Sequence, residues 1–142
     1  MKTPKCIIIF FMILGSNLIG QNSIDDRNLF SVTDDQINEY INEVYVNEAD
    51  ALVYSNPQQL ARIKKIFERI VVVKDAELAR TNLPDLFDLP LASTYNKNLK
   101  TDFPFNPEEF NPLKYKMDVF RYNNYVYYRI GDSDYVIIIK SN

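Results

Sequence analysis

The chain has no histidine and no tryptophan, and only one cysteine and three glycines among 142 residues. Each shortage excludes chemistry. Without imidazole, and with its single thiol at Cys6, one chain cannot assemble the Cys/His sets of structural zinc, iron–sulfur or copper sites. Nucleophilic triads that depend on a histidine base are excluded as well. A glycine-rich loop able to cradle phosphates is missing. The expectation is a protein with no metal and no cofactor. Acidic residues outnumber basic ones, 19 to 16, which suits a nucleic-acid backbone poorly, so no nucleic-acid partner is expected.

The first twenty residues carry an address. Lys2 and Lys5 give a positive start, Cys6 to Leu14 is unbroken apolar sequence, and Gly15 to Gly20 turns small and polar. These are the three parts of an export signal. The apolar run is shorter than the roughly 20 residues needed to cross a ~30 Å hydrocarbon layer. It therefore reads as a cleaved signal over 1–20, followed by a single domain over 21–142, with no stable membrane anchor after cleavage. Cleavage after Gly20 is favoured, with Gly15 and Ser16 as other cut points. Losing 1–20 removes Cys6, Gly15, Gly20 and two lysines, so the net charge moves from −3 to −5. A chain of this size buries about 65% of its unfolded surface and can support one core. The expected location is exported, periplasmic or secreted.

The pattern along the remainder predicts an α+β fold: an N-terminal helical hairpin packed on a C-terminal antiparallel meander of three, or four, strands. Residues 21–30 read as a mobile lead-in. Thr33-Asp34-Asp35-Gln36 has the form of a capping box, and Ile37, Ile41, Val44 and Tyr45 form one helical stripe, predicting a helix from Asp34 to about Val53. Asn56-Pro57 starts a second helix, with Leu60, Ile63, Phe67 and Ile70 inside and Arg62, Lys64, Lys65 and Arg69 largely off the stripe. Those four cations read as a solvated face or, less simply, as a partner surface. The β-branched run from Ile70 to Val73 fits a helix end or a short strand, and a strand is preferred. Residues 75–80 read as a turn or short helix. From Asn82 to Pro112 five prolines forbid long regular elements, yet the many large apolar groups predict an ordered loop packed on the core.

Three strands are expected at the end: Tyr115–Tyr122, Tyr125–Ile130 and Tyr135–Ser141. A two-residue turn at Asn123-Asn124 would set Tyr122 against Tyr125, Phe120 against Tyr127 and Asp118 against Arg129. Such cross-strand pairs are each worth roughly 0.2–1 kcal/mol. A turn at Asp132-Ser133 would set Val126 against Ile139, Tyr127 against Ile138, Tyr128 against Ile137 and Arg129 against Val136. Both faces of this sheet are apolar, and Leu83 to Phe110 is the expected cover of the second.

The candidate site is the aromatic face Phe120, Tyr122, Tyr125 and Tyr127. It reads either as a platform for a protein or carbohydrate partner, or as plain cross-strand packing. Carboxylates are the only groups suited to acid–base work, as Asp34/Asp35, Asp85/Asp88, Glu108/Glu109 and Asp132/Asp134. Adjacent acids seldom converge across a cleft as a glycosidase requires. The Leu83–Leu91 stretch could dock in a partner's groove, though core packing explains it better. The expected function is an exported, non-catalytic binding module of the bacterial cell envelope or secreted fraction. The alternatives are a small carboxylate-dependent hydrolase and a structural subunit of an envelope complex.

Overall fold

The computed structural model describes residues 23–121 and 123–141. The expected export signal over 1–20 lies outside the described residues, as does Tyr122. The fold is α+β, with helices packed against a three-stranded antiparallel sheet.

Helix α1 spans Asp34–Tyr45 and begins on the expected capping box. The Gln36 amide donates to Thr33 Oγ1 at 3.2 Å, and the Thr33 amide donates back to Gln36 Oε1 at 2.9 Å. Helix α1 stops at Tyr45 rather than running to Val53. Val46 takes φ 49° and ψ −119°, which breaks the helix. A 3-10 turn (Val46–Glu48) and a wide turn (Asp50–Tyr54) follow. Helix α2 (Pro57–Arg69) starts with Pro57 in its first turn and with Asn56 Oδ1 accepting from the Gln59 amide at 3.2 Å. The two helices share the main core. Tyr40 stacks on Phe67 with ring centroids 6.0 Å apart, and Ile37, Ile41, Ile63 and Phe67 are buried together.

The chain passes from α2 directly into strand β1 (Ile70–Lys74). Strands β2 (Val126–Arg129) and β3 (Tyr135–Ile139) complete the sheet in the order β1-β3-β2. The β2–β3 register is the expected one, with Val126 opposite Ile139, Tyr127 opposite Ile138, Tyr128 opposite Ile137 and Arg129 opposite Val136. On the other side of β3, Ile70 pairs with Ile139 and Lys74 with Tyr135. The preferred strand at 70–73 is therefore real, and it is the third member of the sheet.

The first strand expected at Tyr115–Tyr122 does not form over the described residues. Tyr115 bridges Leu91 instead, and tight turns run through Met117 and Val119, whose amides donate to the carbonyls of Tyr115 and Met117. The backbone groups that would have paired with β2 are taken elsewhere. The buried Arg69 guanidinium donates to the carbonyls of Val119 (2.6 Å), Arg121 (2.9 Å) and Lys140 (2.8 Å). The Asp118 amide donates to the Tyr128 hydroxyl at 2.8 Å. The vacated edge of β2 is closed by Pro84, whose carbonyl accepts from the Arg129 amide at 3.0 Å. An open strand edge invites unwanted pairing, and the edge of β1 is covered too. Leu29 donates to the Val72 carbonyl (2.8 Å) and Asn28 Oδ1 accepts from the Val72 amide (2.9 Å). The lead-in from Ser23 onward thus packs on the sheet, with a 3-10 turn at Asp25–Arg27, in place of the expected mobile segment.

The face of Ile70, Val72, Tyr128, Ile137 and Ile139 meets the helices together with Leu86 and Phe110. The opposite face, with Val71, Val73, Val136 and Ile138, is covered by Ile24, Leu78, Ala79 and Leu83. Ala79 and Leu78 belong to the short helix α3 (Ala76–Ala79). The proline-broken segment is ordered and apolar as expected, but most of it packs on the helical side, because β1 brings α3 and the lead-in under the second face. Among the described residues, no helix is long and apolar enough to cross a membrane.

Candidate functional site

Two stretches of the proline-broken segment face each other over the β2–β3 loop. One begins at Asp85. Its carboxylate accepts from the Phe87 amide (3.0 Å) and the Gly131 amide (3.1 Å), and it pairs with Arg129 Nη2 at 3.0 Å. Arg129 Nη1 also donates to the Gly131 carbonyl at 2.9 Å. This clamp fixes Phe87, in the 3-10 turn Leu86–Asp88, beneath the loop. Gly131 sits at φ +50°, a conformation that glycine tolerates best.

The other stretch is Phe103-Pro104-Phe105, joined by a cis peptide bond at Phe103-Pro104. Phe103 meets Phe87 edge-on at 6.1 Å, and Phe105 lies 5.4 Å from both Phe110 and Tyr135. Together with Ile130, the rings of Phe87, Phe103, Phe105 and Tyr135 bound an open apolar cleft of about 600 Å³. Phe103 is 79% exposed. Burying such a ring is worth roughly 1.5–3 kcal/mol, so leaving it in water at a cleft mouth is costly unless something covers it.

The strap carrying Phe103 and Phe105 is anchored one residue earlier. The Asp102 amide donates to the Tyr115 hydroxyl at 2.7 Å, and Asp102 Oδ1 accepts from Lys114 Nζ at 2.5 Å. The Lys114 side chain is 7% exposed and also reaches Glu43 Oε1 at 3.2 Å. Asn111 Nδ2 donates to Glu43 Oε2 at 2.8 Å and to the Tyr40 carbonyl at 3.2 Å. Asp102 Oδ2 is buried without a hydrogen-bond partner among the described residues. Burial pushes the Asp102 carboxyl above its ordinary value, against the opposing pull of Lys114. Burial also works against the Lys114 charge, but Asp102 and Glu43 outweigh it and hold the ammonium above its usual range. Tyr115 and Tyr40 are both raised, chiefly by burial and then by the charge of Asp102, against a lowering backbone contact for Tyr115.

Asp102, Glu43 and Lys114 are the charged cluster that the residue pattern did not single out. The one available signal was Lys114 itself, set directly between Leu113 and Tyr115. The cluster is poorly arranged for carboxylate catalysis. Lys114 occupies the space between the two acids, where a glycosidase places its substrate.

The expected site residues are placed differently. Phe120 is 53% and Tyr125 43% exposed. Tyr125 lies 6.4 Å from Tyr127 along the same chain segment, and Tyr127 is partly buried against the second-face core. Phe120 lies under the Arg62 guanidinium at 5.3 Å. With no strand at 115–121, the cross-strand ladder linking Phe120 to Tyr127 is not built, and Tyr122 lies outside the described residues. Of the expected acids, Asp34 pairs with Lys64 at 2.9 Å, Asp85 serves the clamp, and Asp132 lines the apolar cleft. Asp118, expected opposite Arg129, pairs with Arg121 instead, at 2.5 Å. The Leu83–Leu91 stretch is consumed by packing: Leu86 is fully buried, and Leu89 and Leu91 pack on the same core. Among the described residues, no group of three or more His, Cys, Asp or Glu is placed to hold a metal ion.

Comparison with protein-family models, with curated proteins and with solved structures gives no match.

Proposed function

We propose that the protein is an exported, non-catalytic binding module of the periplasm or secreted fraction, which holds a segment of a partner protein in the cleft of Phe87, Phe103, Phe105 and Tyr135. The observation that carries the reading is the exposed Phe103 ring at the mouth of that cleft. Concave, aromatic-lined sites with few polar groups are the usual form of a binding pocket. The first twenty residues support export. A protein segment suits the cleft better than a carbohydrate, since Asp132, Ser133 and the Tyr135 hydroxyl are the only polar side-chain groups among its lining residues and sugars require many hydrogen-bond partners. Selection of a displayed random-peptide library on the purified protein should enrich apolar sequences, and Phe103→Ser should abolish the enrichment. Enrichment that survives Phe103→Ser would count against the cleft. Sequencing the N-terminus of the protein recovered outside the cytoplasm should find Gln21 first. An intact Met1 in that fraction would count against cleavage.

A second reading keeps the platform at Phe120, Tyr125 and Tyr127, favoured by the exposure of the first two. It predicts that Phe120→Ser with Tyr125→Ser, and not Phe103→Ser, removes the enrichment.

A further inference from the structure

The loop between β2 and β3 has a cleft on each side. Gly131, Asp132 and Ser133 line the apolar cleft, and the same three residues line a second cleft of about 530 Å³. The second one is polar. Its other walls include Arg80, Asn82, Arg129 and Asp134.

The charges of this second cleft do not balance. Arg129 is matched by Asp85 at 3.0 Å and by the Gly131 carbonyl, so its charge is already met. That leaves Arg80 against Asp132 and Asp134, for which no ion pair is formed among the described residues. No lysine or arginine lines the apolar cleft. Lys74, the cation at its border, lies over the Tyr135 ring at 6.0 Å. The whole chain is acidic as well, so the field around both clefts favours a positive group.

We infer that the segment bound by this protein is bipartite: an apolar or aromatic side chain seated between Phe87 and Phe103, and a lysine or arginine that crosses the 131–133 loop to meet Asp132 and Asp134. The inference rests on the apolar cleft being the binding site. It adds the partner's charge, its sign and its spacing. Because one loop separates the clefts, the cation lies within about three residues of the anchor at ~3.3 Å per extended residue. An anionic segment would face two carboxylates against the single Arg80 charge and be disfavoured, which gives specificity by repulsion as well as attraction.

The test uses the full chain and three short labelled peptides built on a Phe-Pro anchor, with lysine, glutamine or glutamate placed two residues from it, in both orders. Anisotropy titrations at low salt should rank lysine over glutamine over glutamate. Each step is roughly fivefold at most, the upper range of an exposed ion pair, and shrinks as salt is added. Asp132→Asn with Asp134→Asn should remove the ranking. Phe103→Ser should weaken all three peptides together. Equal affinities for lysine and glutamate peptides would overturn the bipartite inference while leaving the cleft in place. A ranking that survives the double asparagine variant would overturn the assignment of the cation to this loop. Binding by none of the three, or binding untouched by Phe103→Ser, would overturn the cleft reading itself.

Discussion

Gly131 leaves the Phe87 ring room that a larger residue would take: a Cβ on Gly131 would stand 3.3 Å from Phe87 Cδ2 and 3.4 Å from Cε2. The glycine is needed twice, for its φ of +50° and for the room it leaves the ring that floors the cleft. Gly131→Ala should cost about 1–2 kcal/mol from the left-handed backbone alone and should also weaken peptide binding by pressing on Phe87. Urea denaturation measures the first effect, and unchanged stability would contradict this reading of the loop.

Arg69 does the work that a strand pairing was expected to do. Each of its three guanidinium nitrogens donates to a backbone carbonyl in a buried setting. Arg69→Met should destabilise by roughly 2–4 kcal/mol, since buried acceptors lose charged donors. Arg69→Lys should recover only part, because an ammonium cannot reproduce the planar fork. Full recovery by lysine in denaturant titrations would show that the fork geometry is unimportant.

The Lys114 network makes stability depend on pH in a defined direction. Lys114 has a folded pKa above its ordinary 10.5, so its contribution is complete below that value and is lost as pH rises through the folded one. Asp102 has a folded pKa above its ordinary 3.8. The cost of its charge is present above the folded value and is relieved as pH falls toward 3.8. Lys114→Met strands that carboxylate and should cost about 3–5 kcal/mol near neutrality. The loss should shrink on acidification, and adding Asp102→Asn should recover much of it at neutral pH. A Lys114→Met penalty independent of pH would contradict the pairing.

Val46 holds a β-branched side chain at φ 49° and is exposed. Such a backbone costs about 1–3 kcal/mol for a residue with a Cβ, against roughly 0.5–1 kcal/mol for the added flexibility of glycine. Val46→Gly should therefore stabilise by about 1 kcal/mol, read as a raised thermal midpoint. A lowered midpoint would contradict the strain.

What was legible in the sequence was local. The caps at Thr33 and Asn56 and the β2–β3 register depend on neighbours a few residues apart, and all are present as expected. The 115–121 strand failed because its competitors lie far away in sequence: Arg69 for the carbonyls, Pro84 for the strand edge and Leu91 for Tyr115. Alternation and a good turn signal could not reveal them. The cleft was hidden for the same reason. Phe87, Phe103 and Tyr135 meet only through the Asp85 clamp and the Asp102 anchor, whose partners are Gly131, Arg129, Lys114 and Tyr115. The break of α1 at Val46 had no signal at all, since valine is among the residues least expected there.

The most direct test of the binding cleft is a nitrogen-15 NMR titration of the protein with the short Phe-Pro peptide carrying lysine. The amides of Phe87, Phe105 and Gly131 should shift saturably, while those of Phe120 and Tyr125 hold still. Shifts centred on Phe120 and Tyr125, or no saturable shift at the cleft, would contradict the account.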